Sequence, residues 1–230
     1  MARWGQLVPG YDVSRDPLRA GATPLLPAHH LGRRFGLTAL WLKDETRNPT
    51  RSLKDRATAV FISRLSEGDK RAVCCASAGN AGISLAAYAT AVRRPCHVFV
   101  PSSASAERIA WLSRFGAIVH KAEGGYERAF EDAEIASATE GWHNRNCAYD
   151  PMLVEGKRVA GFEVLEQLNW VPPDLMVAPV GDGCTLSAIG KAFRQAYEAE
   201  VSSGTPTLIG VQDAGCDPLV RRFGRVAAPR

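Results

Sequence analysis

Lys54 lies in the stretch RSLKDRATAVFISRL, which begins at Arg51. Ala57, Phe61 and Leu65 recur there at helical spacing, with Val60 beside them. Extended back one step, this apolar stripe reaches Lys54, so the spacing predicts a lysine at a helix start that points toward the core. The positive end of the helix dipole disfavours a charge at that position. Burial disfavours it further, by about 3–5 pKa units in the extreme. An uncharged amine is the form that adds to a carbonyl and makes a Schiff base. Two more stretches have residue types suited to chemistry. ASAGNAG, from Ala76 to Gly82, crowds Ser77, Gly79, Asn80 and Gly82 into one turn. Backbone N–H groups there make an anion site, and Asn80 adds a side chain that can donate or accept. GDGCT, from Gly181 to Thr185, has glycines that let a ligand approach the backbone closely, ahead of a helix whose dipole favours a phosphate. No Gly-Lys-Ser/Thr follows it, and Leu186 stands where a dinucleotide fingerprint has its third glycine. Such a cup suits a phosphate that is held rather than transferred.

Each stretch alone has a plainer reading. A lysine can run its stem past apolar surface and keep its head in water. Ser, Gly and Asn are favoured in any strand-to-helix turn. Taken together the three are more specific: an amine to hold an aldehyde, an amide to contact a ring hydroxyl and a cup for a phosphate describe pyridoxal 5'-phosphate. LKD also occurs at Leu42 to Asp44, but Lys43 falls in a strand-like segment without that context.

The elements that must position these residues follow from the hydrophobic pattern. From Arg71 onward, short apolar runs alternate with helical patterns. RAVCCAS, PCHVFVP, GAIVHKA, DLMVAPV and PTLIGVQ read as strands. AGISLAAYATAV, SAERIAWLSRF, YERAFEDAEIASA, GKRVAGFEVLEQL and LSAIGKAFRQAYEAE read as helices. Strands uninterrupted by charge, alternating with helices, predict an α/β protein with a parallel sheet covered on both faces. ALWLKDE is one more expected strand, and VSSGTP is the most loop-like stretch late in the chain. In such sheets ligands bind beyond the carboxyl ends of the strands, where ASAGNAG and GDGCT fall.

Bulk composition excludes several classes. The chain has 230 residues, 46% hydrophobic and 23% charged, with a net charge of +4. These values are ordinary for a globular protein of one large or two small domains. No dense basic tract with interleaved aromatics is present, so no nucleic-acid partner is expected. No run is long enough to span a bilayer, so no membrane partner is expected either. The first residues contain no apolar core of signal-peptide length. Cys74, Cys75, Cys96, Cys147, Cys184 and Cys216 form no CxxC pair and show no metal-ligand spacing. Adjacent Cys74 and Cys75 in an apolar run read as buried thiols, and the expected compartment is a reducing cytoplasm.

GATPLLP (Gly21 to Pro27), LKDETRNPTRSLKDRA (Leu42 to Ala57), ASAGNAG, VEGKRVAGFEVLEQL and PVGDGCT occur in the order seen in fold type II pyridoxal-phosphate enzymes. The chain thus resembles that tryptophan synthase β-like family, and its threonine synthase group in particular, from about Gly21 to Gln212. The resemblance implies two three-layer αβα domains with mostly parallel sheets. Residues 1–57 with 157–230 would form the large cofactor domain, and 58–156 a small mobile domain carrying the asparagine loop. Lys54 would hold the cofactor and move protons at Cα. Asn80 would lie beside the cofactor's 3-hydroxyl. Ser77, Gly79 and Ala81 would receive the substrate carboxylate, and Gly181, Asp182, Gly183, Cys184 and Thr185 would cradle the cofactor phosphate. The implied activity is β/γ-elimination and replacement on a small amino acid by a cytoplasmic homo-oligomer, a dimer, without a metal. The alternatives are a threonine or serine dehydratase, a cysteate synthase, a diaminopropionate lyase, or a truncated non-catalytic relative.

The chain departs from the phosphohomoserine-using threonine synthases at two places. They carry a lysine after the VP strand end and an arginine before an EGQK motif. Here the first region reads VPSSASAER, with Arg108 the nearest cation, and in the second Leu153 takes the arginine's place in DPMLVEGKR. Lys157 and Arg158 are the other candidate phosphate contacts, though their helix spacing suggests a partly solvated face. Family members also continue past GVQDAGCDPLV, so the large domain is expected to be incomplete at its C-terminal end, without the residue that faces the pyridine nitrogen.

Overall fold

The computed structural model describes residues 1–147 and 149–223. Two short 3-10 turns, Ala2–Leu7 and Val13–Arg15, lead into strand β1 (Leu25–Pro27), helix α1 (His29–Arg34) and strand β2 (Trp41–Lys43). β1 and β2 pair antiparallel, with Leu25 opposite Lys43 and Pro27 opposite Trp41. Helix α2 (Lys54–Arg64) follows. Its residues Asp55 to Ser63 are buried without a break. The amphipathic helix expected from the sequence is therefore covered on all sides, because later helices pack on the face that the stripe left polar.

The middle of the chain alternates as its apolar runs require. Strand β3 (Val73–Ala76), helix α3 (Asn80–Ala91), strand β4 (Cys96–Val100), helix α4 (Ala106–Arg114), strand β5 (Ile118–Lys121), helix α5 (Tyr126–Glu140) and strand β6 (His143–Asn144) follow in order. All pairs in this sheet are parallel, in the order β5-β4-β3-β6. Alternate residues face opposite ways along a strand. Val73, Cys75, Val98 and Val100 pack with Leu85 and Ala86 of α3 and Leu112 of α4. Cys74, Ala76 and Phe99 pack with Ala129 and Ala133 of α5. Helix, sheet and helix thus make three layers, and burial on both faces explains why these strands lack alternating polarity.

Helix α6 (Met152–Gln167), strand β7 (Leu175–Pro179), helix α7 (Cys184–Glu198), strand β8 (Thr207–Val211) and helix α8 (Pro218–Phe223) complete the described chain. β7 and β8 are parallel and in register from Leu175 with Thr207 to Pro179 with Val211. Phe162 and Leu165 of α6, Ala178 of β7 and Phe193 of α7 share one core. This sheet is less covered than expected: Leu175, Val177, Ile209 and Val211 are exposed among the described residues. α6 also packs on α2. A Cβ on Gly156 would fall 2.3 Å from the carbonyl oxygen of Arg56, so the two backbones pass at a distance only glycine permits.

A buried ionic cluster fastens these parts together. Arg56 of α2 donates to Glu45 and to Glu163 of α6, each at 2.7 Å. Lys43 of β2 pairs with Glu163 at 2.8 Å. Charges removed from water persist only when paired and hydrogen-bonded in this way.

Candidate functional site

Lys54 is the first residue of α2, with no side-chain cap from Leu53. Its own carbonyl accepts from Thr58 Oγ1 at 3.1 Å and from Arg145 at 3.4 Å. Among the described residues its half-buried Nζ has no hydrogen-bond or ion-pair partner. Burial lowers the Lys54 pKa from its ordinary value, and the positive charges of Lys157 and Arg145 lower it further. Asp182 and Cys147 pull the other way. A neutral, unpartnered amine is what this environment favours.

The turn after β7 forms the second part. Gly183 is the N-cap of α7 in the left-handed region, at φ 85°, where a side chain costs about 1–2 kcal/mol. A Cβ on Gly181 would meet nothing within 4 Å, so open space borders the turn. Asp182 folds back, its carboxylate accepting from the Cys184 N–H at 2.9 Å. The N–H groups of Gly183, Thr185 and Leu186 find no acceptor among the described residues. Free donors at a helix N-terminus beside open space favour an anion. Burial would raise the Asp182 pKa, but the Cys184 N–H and the charges of Lys157 and Lys54 hold it below the usual carboxylate range. Burial and Asp182 together push the Cys184 thiol up to about 11.

The asparagine loop is a separate part. Ser77 Oγ accepts from the Gly79 N–H at 3.2 Å, and Asn80, exposed, is the first residue of α3. Neither Ser77, Gly79, Asn80 nor Ala81 hydrogen-bonds Lys54 or the Gly181 turn among the described residues. Its position relative to Lys54 is set one turn away. Ser84 of α3 donates to Asp55, the neighbour of Lys54, at 2.6 Å, and its hydroxyl oxygen lies 2.8 Å from that of Thr58.

Two residues of the site, Arg145 and Cys147, were missed in the sequence, and Lys157 was named there only as a candidate phosphate contact on a partly solvated face. Arg145 is buried and donates to Thr58 Oγ1 at 3.2 Å, and no carboxylate pairs with it among the described residues. It follows β6, whose two residues are too short to read as a strand. Lys157 is fully buried, with Nζ 3.2 Å from Cys147 Sγ. The expected solvated face for Lys157 and Arg158 is therefore wrong. Lys157 lies one turn from Leu153, which is itself fully buried. Arg158 is held by Glu155, Gln195 and the carbonyl of Leu7. The available signal was the apolar content of this helix on every side, which leaves α6 no solvated face.

The model of the family described as "Pyridoxal-phosphate dependent enzyme" matches residues 17–229. The chain belongs to that family. Its fold is that of the fold type II members, whose cofactor is pyridoxal 5'-phosphate. It is 32% identical to the threonine synthase of Methanocaldococcus jannaschii over 227 residues, 98% of this chain and 56% of that protein. It is 31% identical to the threonine synthase of Methanosarcina acetivorans over 222 residues, 95% of this chain and 54% of that protein. Among solved structures, threonine deaminase isoform 2 from Solanum lycopersicum superposes at a TM-score of 0.73 with 25% identity, covering 90% of this chain and 53% of that one. Serine racemase from Dictyostelium discoideum superposes at 0.74 with 22% identity, over 91% of this chain and 66% of that one, which speaks to the fold alone. The chain spans about half the length of the curated relatives it matches.

The site's own chemistry fits the family cofactor. An unpartnered amine whose charge its surroundings disfavour suits the aldehyde, and the turn at the start of α7 offers free N–H donors and space for the phosphate. No helix among the described residues is long and apolar enough to cross a membrane.

Proposed function

We propose that this chain supplies the lysine and phosphate-cup portion of a pyridoxal-phosphate lyase that performs threonine synthase-like elimination and replacement on the side chain of a small amino acid. The observation that carries the reading is the half-buried Lys54 amine, unpartnered among the described residues and placed in a field of Lys157 and Arg145 that disfavours its charge. When bound, the cofactor supplies an electron sink for negative charge developing at the substrate Cα. Lys54 Nζ takes the Cα proton and returns it, which needs an amine that is neutral at working pH. The N–H groups of Gly183, Thr185 and Leu186 would hold the phosphate within the turn Gly181, Asp182, Gly183, Cys184 and Thr185. Asn80 would contact the cofactor's 3-hydroxyl, and Ser77, Gly79 and Ala81 would orient the substrate carboxylate. Residues 1–57 with 157–230 and residues 58–156 are the two parts that close around the substrate. In this proposal the protein works in the cytoplasm as a homodimer.

The test is borohydride reduction of the protein with pyridoxal phosphate, followed by peptide mapping. Label on Lys54, abolished in Lys54→Ala, is expected. Label on Lys43, which is paired with Glu163, or on Lys157 would sink the assignment.

A further inference from the structure

Cys147 Sγ, one Asp182 carboxylate oxygen and Cys184 Sγ all lie within 4.8 Å of one another. These residues come from the loop after β6 and the turn before α7, so no linear spacing announces them. We propose that they form a binding site for a thiophilic divalent cation of the zinc class, at the mouth of the phosphate cup, whose occupation excludes the cofactor phosphate. The exclusion rests on the cofactor reading above; the metal site does not.

The donor set supports the ion. Cysteine thiolates and aspartate carboxylates are both ligands that zinc takes, and three protein ligands with a water in the fourth position complete a tetrahedral site. Bonds of about 2.3 Å to sulfur and 2.0–2.2 Å to oxygen put tetrahedral ligand atoms roughly 3.5–3.8 Å apart. The three atoms therefore need to close by about 1.3 Å at most, within reach of side-chain rotation. Asp182 spends one oxygen on the Cys184 N–H at 2.9 Å and keeps the other for the ion. Charge supports it as well. Lys157 lies beside the cluster, and a bare dication would be repelled there. Each thiol, however, loses its proton to solvent on coordination. Two thiolates, a carboxylate and a dication leave one net negative charge, which the charge of Lys157 offsets. The Lys157 amine, 3.2 Å from Cys147 Sγ, is already placed to donate to the coordinated sulfur. Because Asp182 and Cys184 shape the turn whose N–H groups would bind phosphate, an ion there closes the cup from its rim.

The full chain, reduced and free of cofactor, is titrated with Co2+ and then with Zn2+. One equivalent of Co2+ should produce a sulfur-to-cobalt charge-transfer band with tetrahedral ligand-field bands, and Zn2+ should bleach them. Cys147→Ser and Cys184→Ser should each abolish the charge-transfer intensity expected for paired thiolates, while Cys216→Ser, altered at an exposed thiol outside the cluster, retains it. Should a serine variant not fold by circular dichroism, Zn2+ protection of Cys147 and Cys184 from alkylation in the unmodified chain, read by peptide mapping, gives the same answer. No band, no protection, or a band that survives both serine substitutions overturns the site. Pyridoxal phosphate retention, measured with and without Zn2+, should fall as the metal fills. Undiminished retention at full metal occupancy overturns the exclusion. A chain that binds cobalt but never retains cofactor refutes the cofactor reading and leaves the metal site standing.

Discussion

Replacing Arg56 with methionine tests how the amine is held in place. Arg56 is fully buried and lies two residues into the helix that Lys54 begins. Its guanidinium donates twice to Glu45, at 2.7 Å, and twice to Glu163, at 2.7 and 2.8 Å. Methionine fills similar volume but leaves both carboxylates facing an apolar group. Glu163 then keeps Lys43 at 2.8 Å and the N-terminal amine at 3.9 Å, and Glu45 keeps the hydroxyl of Thr23. Breaking one partner out of a buried ion cluster costs about 3–5 kcal/mol, which for a chain of this size lowers the melting temperature by roughly 6–20 °C. The pH dependence has a definite sign. Burial pushes the Glu163 and Glu45 carboxyls up, but Arg56 outweighs it and holds both below their ordinary values. Their stabilisation is present above the unfolded carboxylate pKa of about 4.3 and is lost as pH falls through the depressed folded values. In the variant the burial is unopposed by the guanidinium, the folded pKa values rise, and protonation relieves the buried charge. The gap between the two proteins should therefore narrow from pH 7 to pH 4. Urea unfolding at both pH values measures it. A loss below about 1 kcal/mol at pH 7, or a gap that widens on acidification, would refute the reasoning.

Two further outcomes follow from the glycines. Gly156→Ala should cost about 1–3 kcal/mol in urea unfolding, because its Cβ would fall 2.3 Å from the Arg56 carbonyl; an unchanged midpoint would mean that α2 and α6 separate freely. Gly181→Ala should leave stability within about 0.5 kcal/mol, since its Cβ meets nothing, yet weaken pyridoxal phosphate retention; Gly183→Ala should lower both, because its φ of 85° strains any side chain. Equal cofactor retention in all three folded proteins would show that the turn cradles no phosphate.

The strand–helix alternation was legible because β3, β4 and β5 are apolar runs, the first two of them buried on both faces. Lys54 was legible for a partly mistaken reason. The stripe of Ala57, Phe61 and Leu65 led to it, but α2 is buried on every side, so the stripe singles out no face. What sets Lys54 apart is its unpartnered amine beside Lys157 and Arg145, and those neighbours come from segments about ninety to a hundred residues away. β1 and β6 escaped notice because strands of two or three residues carry too little pattern to be read. Cys147 and Cys184 looked unrelated in sequence because their approach is made by the loop after β6 meeting the turn before α7.

The dependence of the site on α6 explains why so many of its parts are distant in sequence. This helix lies against α2 through Gly156, so the depth at which it sits is fixed by contact with the Arg56 carbonyl. The next residue, Lys157, is thereby set at a depth from which its amine reaches Cys147 and its charge acts on Lys54, Asp182 and Cys184. Two turns on, Glu163 closes the ionic cluster with Arg56, which prevents α2 from sliding along α6. On the same stretch, Phe162 and Leu165 share a core with Phe193 of α7, the helix into which the Gly181 turn leads. The amine and the cup are therefore both positioned against one buried helix rather than against each other. A change confined to either loop alters one part of the site, whereas a change in the packing of α6 moves the amine, its electrostatic neighbours and the cup together.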